Sequence, residues 1–173
     1  SMTTTVESYF GSGLMVRGFL LNNQITDFSF ENVDGDGIPI ANRVQPNKRP
    51  RSSMSPTMVF DSETADLKFL AGSPGGSRII GYTSQSLVAM LDYGEDPQTA
   101  VNTPHYQNRN GDTELETPIE GITSDYDVAS LKASLEALDH VVVERGGEES
   151  GLSLIAVTED GYLGAADPRR DGS

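Results

Sequence analysis

With 173 residues and 36% apolar content, the chain is long enough to build one domain around a hydrophobic core. Its 26 acidic residues against 12 basic ones give a formal charge of −14, which argues against nucleic acid or an anionic membrane as partner and fits a solvated acidic surface. The absence of cysteine excludes disulfides, thiolate metal sites and thiol catalysis, and leaves the redox compartment open. No run of residues approaches the length of a membrane span. No charged-then-apolar leader opens the chain, so an export signal would lie on sequence outside it.

In chain order, Met2 to Ser8 and Phe19 to Gln24 read as strands, and the Asp-, Gly-, Pro- and Asn-rich stretch from Asn32 to Pro50 reads as a long surface loop. Met58 to Phe60 and Leu67 to Ala71 form a candidate hairpin. Ile79, Ile80, Thr83, Leu87, Met90 and Leu91 recur at three- and four-residue spacing, predicting a helix from about Arg78 to Asp92 that ends at Gly94. Asp96 to Asn102 predicts a short helix opened by Pro97, and Leu115 to Ile119 a strand. Ser124 to Leu138, apolar at 128, 131, 135 and 138, predicts another amphipathic helix. A short run at Val141 to Val143 follows, then a hairpin of Leu152 to Val157 and Tyr162 to Ala165 turned by Glu159-Asp160-Gly161. Strands without regular βαβ alternation indicate an α+β fold with a mainly antiparallel sheet.

The segment with the clearest chemical content is Gly72-Ser73-Pro74-Gly75-Gly76-Ser77-Arg78, placed between a strand and a helix. Gly75 and Gly76 lack the Cβ that blocks close approach, and the first N–H groups of the following helix have no intrahelical partner. That is the local chemistry of an anion or oxyanion site. A Gly-Gly turn entering a helix also serves as plain loop, and no Gly-Lys-Ser/Thr follows to make a P-loop. Both histidines, His105 and His140, stand alone without metal-ligand spacing. Asn32-Val33-Asp34-Gly35-Asp36-Gly37 has some likeness to a calcium loop but lacks the glutamate at its twelfth position. Neither a metal nor a cofactor is expected.

Two further segments stand beside the glycine loop, Gly18-Phe19-Leu20-Leu21-Asn22-Asn23-Gln24-Ile25-Thr26-Asp27-Phe28 and Pro46-Asn47-Lys48-Arg49-Pro50-Arg51-Ser52-Ser53-Met54-Ser55-Pro56-Thr57. With Thr3-Thr4-Thr5-Val6-Glu7-Ser8-Tyr9-Phe10-Gly11-Ser12-Gly13 before them and Gly164-Ala165-Ala166-Asp167-Pro168-Arg169 near the end, these motifs run in order over nearly the whole chain. They resemble the small, C-terminal subunit of γ-glutamyltranspeptidase and its acylase relatives. The resemblance implies an N-terminal-nucleophile hydrolase fold, an αββα sandwich, with residues 1–173 forming the small-subunit portion and a large subunit of the same precursor as partner. It implies transfer of an acyl group, γ-glutamyl from glutathione and related amides, through an ester to water or to an amino-acid or peptide acceptor. A glutaryl- or cephalosporin-type acylase, or a folded fragment without activity of its own, are the alternatives. A periplasmic or extracellular setting is also implied, with the compartment left open.

In the family the nucleophile is a threonine in a Thr-Thr/Ser-His segment upstream of the first strand seen here, its own α-amino group serving as base. The chain is therefore expected to lack its nucleophile and first strand and to be inactive alone; Ser1 matches a strand interior instead. An isolated small subunit would leave bare the apolar faces meant for its partner, so self-association is expected. The resemblance assigns Thr5 to the hydroxyl that supports the nucleophile, and Glu7, Gln24 and Asp27 to the substrate's α-ammonium. Glu7 stands where many members have asparagine, a departure shared with some acylase-like relatives. Ser52 and Ser53 match the hydroxyls that bind the α-carboxylate, and Gly75 and Gly76 match the oxyanion hole. Arg78 and the Asp167-Pro168-Arg169 segment read as structural, Arg78 as partner of a buried carboxylate or carbonyl and Asp167 as a residue able to pair with such an arginine. Asn32 to Gly37 falls on the family's lid segment, which is shorter than in lidded members and has no tyrosine between Phe28 and Ser52, and this implies a pocket open to larger substrates.

Overall fold

The computed structural model describes residues 1–8, 10–122, 126–146 and 150–170. Two compact units divide the chain, one of residues 2–53 and the other of residues 54–173 together with Ser1. In the first, β1 (Met15–Val16) and β2 (Phe19–Leu20) form a small hairpin. Arg17 and Gly18 turn it with φ of 51° and 90°, the paired positive values that a two-residue turn of matching twist needs.

Met2 to Ser8 is not a strand. Thr and Val favour extended backbone, but a strand also needs a neighbour, and among the described residues this stretch has no ladder. It is fastened by separate bonds: Asn23 N–H donates to Thr5 O at 3.1 Å, and Glu7 N–H to the Asn23 side chain at 3.0 Å. The strand expected over Phe19 to Gln24 stops at Leu20. Asn22 Oδ1 accepts from Gln24 N–H at 3.0 Å, and this local turn leads the chain into a single 3-10 turn, Gln24–Asp27. Asn32 to Pro50 is the irregular loop expected, crossed only by isolated bridges among the described residues. Asp34 Oδ1 accepts the amides of Asp36 and Ile38 at 3.0 and 2.9 Å, so its carboxylate organises the turn.

The second unit is built on a sheet of β3 (Thr57–Phe60), β4 (Leu67–Gly72), β8 (Ser153–Thr158) and β9 (Gly161–Ala166), antiparallel throughout in the order β3-β4-β8-β9. Helices α1 (Ile79–Asp92) and α2 (Pro97–Asn102) pack on it. The core between them holds Ala71, Tyr82, Met90, Ala100, Val101, Leu152 and Leu154. α2 starts as its sequence requires: Asp96 accepts the amides of Gln98 and Thr99, and Pro97 occupies the first turn, where its missing N–H costs nothing.

The buried face of α1 differs from the expected stripe. Ile79, Tyr82, Thr83, Ser86 and Met90 are buried, whereas Ile80 and Leu91 are about half exposed. At about 100° per residue, positions 79, 83, 86 and 90 share one face, and 80 and 91 lie about a quarter to a third of a turn away from it.

A second sheet orders β5 (Tyr106–Asn108), β6 (Thr113–Glu116) and β7 (Val142–Arg145), with α3 (Val128–Glu136) against it. β5 and β6 are antiparallel, and β6 and β7 are parallel, joined through α3. These strands sit one to three residues from the positions expected at Leu115 to Ile119 and Val141 to Val143. The helix expected from Ser124 begins later among the described residues, capped by Asp127, which accepts from Ser130 N–H; Ser124 itself lies outside them. Its C-terminal expectation also fails, because Leu138 is 71% exposed beyond the helix end.

One polar cluster ties α2, β6 and β9 together. Arg169 and Glu116 have side chains 2% and 0% exposed and pair through two bonds of 2.7 Å. The remaining Arg169 donors reach Asp167 Oδ1 (3.0 Å), Val101 O (2.8 Å) and Thr103 O (3.1 Å), so the guanidinium is fully satisfied. Asp167 thus pairs with Arg169 and not with Arg78. Burial alone would raise the Asp167 pKa, yet hydrogen bonds from Ser150, Leu152 N–H and Arg169 N–H, with the Arg169 charge, hold it below its ordinary value. His105 closes the cluster, its ring 4.3 Å from that of Tyr82 and its Nε2 2.9 Å from Ser150 Oγ. Burial, then the Arg169 charge, push its pKa down to about 4 against the opposite pull of Glu116 and Asp167.

Candidate functional site

Within the first unit, the 3-10 turn at Gln24–Asp27 gathers most of the residues assigned to substrate binding. Asn22 and Asn23 set the turn, and it presents Gln24 and Asp27 three residues apart. The Gln24 side-chain amide donates to Asp27 Oδ2, and its oxygen accepts from Thr5 Oγ1, so one line of hydrogen bonds runs from Thr5 through Gln24 to Asp27. Glu7 is drawn to the same turn by its backbone. Its N–H and C=O both meet the Asn23 side chain, at 3.0 and 3.3 Å, while its carboxylate stays exposed.

Asn42 extends this scaffold. Its Nδ2 donates to Asp27 O at 2.6 Å and its Oδ1 accepts from Arg51 N–H at 2.9 Å, which fixes the backbone just before Ser52 and Ser53. Ser52 is exposed and Ser53 half-buried, and both have interaction partners. Asn23 and Asn42 were not singled out from the sequence. Each acts by bridging backbone segments 15 or more residues apart, for which no local pattern exists.

Gly75 and Gly76 lie in the second unit, where β4 ends at Gly72 and a 3-10 turn, Gly76–Arg78, leads into α1. Their φ values are 131° and 56°, conformations that only glycine adopts readily. Among the described residues neither amide meets a backbone acceptor, and a Cβ at Gly76 would meet nothing within 4 Å. The turn therefore carries two adjacent N–H groups that no backbone acceptor ties down among the described residues, Gly75 half-buried and Gly76 exposed. Its downstream end is anchored as expected, Arg78 gripping Glu114 on β6 through two 2.9 Å bonds. Arg109 adds a bond to Ser77 Oγ at 2.7 Å, and Arg109 and Arg145 also approach Glu114. The Arg78 bond foremost, with the charges of the three arginines, holds the Glu114 carboxyl below its ordinary pKa despite burial. Among the described residues no three or more His, Asp or Glu side chains are grouped as a metal site would need. No helix there is long and apolar enough to cross a membrane.

Comparison with known proteins gives a consistent result. The family model described as Gamma-glutamyltranspeptidase matches residues 1–173. The glutathione hydrolase proenzyme of Bacillus subtilis (strain 168) is 35% identical over 179 residues, covering 100% of this chain and 28% of that protein. The Escherichia coli (strain K12) glutathione hydrolase proenzyme is 38% identical over 175 residues, 98% of this chain and 29% of that protein. The chain thus spans under a third of the length of these relatives. Among solved structures, a mutant gamma-glutamyltranspeptidase of Helicobacter pylori superposes with a TM-score of 0.74 at 30% identity, covering 98% of this chain and 92% of that one.

Proposed function

Because the chain belongs to the gamma-glutamyltranspeptidase family, whose α+β N-terminal-nucleophile fold it has, we propose that it forms the small-subunit part of an enzyme that transfers γ-glutamyl groups to water or to an amino-acid or peptide acceptor. A threonine at the start of the mature subunit attacks the γ-carbonyl, the amine leaves, and the resulting ester is resolved by the acceptor. The large subunit of the same precursor completes the pocket. Within this chain Thr5 supports the nucleophile's hydroxyl, and the Gly75 and Gly76 amides receive the negative charge that develops on the carbonyl oxygen. Glu7, Gln24 and Asp27 bind the donor's α-ammonium, and Ser52 and Ser53 its α-carboxylate.

The observation that supports this reading best is the line Thr5–Gln24–Asp27, ending in a carboxylate that is held in place by a neutral amide and is able to take a cation. The test is Asp27→Asn in the complete enzyme, assayed with γ-glutamyl and glutaryl anilides. Losing a charge-assisted bond costs roughly 1.5–3 kcal/mol, so kcat/KM for the γ-glutamyl donor falls by roughly ten- to a hundredfold. The glutaryl donor has no ammonium and loses much less. Equal losses refute the ammonium assignment; a parent enzyme that already prefers glutaryl donors replaces the transferase with an acylase.

A further inference from the structure

The Gly75–Gly76 turn hangs from β4 by two residues, Ser73 and Pro74, and both rest on the backbone at Gly151. Ser73 is 5% exposed; its hydroxyl donates to Pro74 O at 2.7 Å and accepts from Gly151 N–H at 3.2 Å. Gly151 itself is wedged. A Cβ there would stand 2.7 Å from Pro74 Cγ, 3.0 Å from Pro74 Cδ and 2.8 Å from Arg170 Cδ. Its φ lies outside the left-handed region, so the requirement for glycine is one of space and not of backbone conformation.

Nor can Gly151 recede to make room. Ser150, fully buried, donates from Oγ to Asp167 Oδ2 at 2.6 Å, and its carbonyl accepts from Arg170 Nε at 2.9 Å. On the other side Leu152 N–H donates to Asp167 Oδ2 and Leu152 O accepts from Asp167 N–H, each at 3.0 Å. Asp167 is in turn held by Arg169 and, through it, by Glu116. The upstream end of the glycine turn is therefore set against a nearly incompressible stack: Pro74, Gly151, and the Asp167–Arg169 cluster.

We propose that Gly151 and Ser73 are positioning residues for the Gly75 and Gly76 amides, with Ser150 and Asp167 as their anchor; this rests on the reading of those amides as an oxyanion hole. An oxyanion donor works only within a narrow range of distance, and it acts on charge that exists in the transition state and not in the bound substrate. Displacing Pro74 by a few tenths of an ångström thus lowers kcat and leaves substrate binding nearly intact.

The test uses the complete enzyme. Gly151→Ala lowers kcat for a γ-glutamyl anilide by about ten- to a hundredfold, the scale on which small misplacements act, while KM stays within about threefold. Hydrogen exchange then quickens in the peptide covering 72–79 and stays unchanged in peptides from residues 2–53. Ser73→Ala adds no atom, removes the Gly151 acceptor and produces a smaller change of the same kind; it is the deciding variant if Gly151→Ala does not fold. A kcat within twofold of the parent, or faster exchange throughout the chain, overturns the proposal. If the parent does not turn over γ-glutamyl anilides, the γ-glutamyl-transfer reading falls by itself. Exchange then decides alone, with a change confined to 72–79 supporting the positioning role and no change there overturning it.

Discussion

Replacing Glu116 by glutamine isolates the cost of an uncompensated charge in the core of the second unit. Glu116 takes three donors, Arg169 Nε and Nη2 at 2.7 Å each and His105 N–H at 2.8 Å, with no exposure of its side chain. Glutamine has nearly the same shape but only one acceptor oxygen, and its NH2 then faces a donor. Among the described residues Asp167 is then the one anion left paired with Arg169, 3.0 Å from Nη1. Breaking one side of a buried ion pair costs about 3–5 kcal/mol, a large part of the roughly 5–15 kcal/mol that keeps a domain folded. At about 2–4 °C per kcal/mol for a chain of this size, Tm falls by about 6–20 °C. Lys132–Glu144 is the control, because its 2.8 Å contact joins side chains 34% and 42% exposed; Glu144→Gln costs under about 1 kcal/mol. Urea unfolding of both variants, with an unchanged m-value, gives the two numbers. A Glu116→Gln loss no larger than that of Glu144→Gln refutes the reasoning.

The pKa of His105, about 4 in the folded chain against about 6.5 unfolded, means that the unfolded state binds the proton first. Its neutral form stabilises the fold fully above about pH 6.5, and about 3 kcal/mol of that is lost as the pH falls through 4; His105→Gln flattens stability against pH in this window, and an unchanged slope refutes the assignment. Two glycines at positive φ separate conformation from chemistry: Gly94→Ala, at φ 71° beyond α1, costs about 1 kcal/mol of stability and spares turnover in the complete enzyme. Gly75→Ala, at φ 131°, lowers kcat by about a hundredfold or more; equal effects of the two on kcat refute the oxyanion assignment.

How much could be read in advance depended on where each element finds its partner. α2 carries its own start signal in Asp96-Pro97, and β8 and β9 meet across a turn of their own residues, so both were legible. Met2 to Ser8 has strand composition but no ladder among the described residues, and β6 meets β7 in parallel only through α3, so neither could be placed from local pattern. The same division runs through the candidate site. Gly75 and Gly76 lie in a contiguous motif whose chemistry shows in the residues themselves, whereas Thr5, Gln24 and Asp27 are named only by the resemblance of their motifs to the family. Their supports show in neither way: Asn42 acts on Asp27 from 15 positions away, Glu114 on Arg78 from 36, and Ser73 meets Gly151 across 78. A supporting residue is selected by the gap it fills, and gaps exist only after the chain has folded. Gly151 is the extreme case, since its function is the absence of a side chain where Pro74 and Arg170 converge. Donors and charges can therefore be named from sequence, whereas the few tenths of an ångström that make them effective are set by residues whose sequence context is silent.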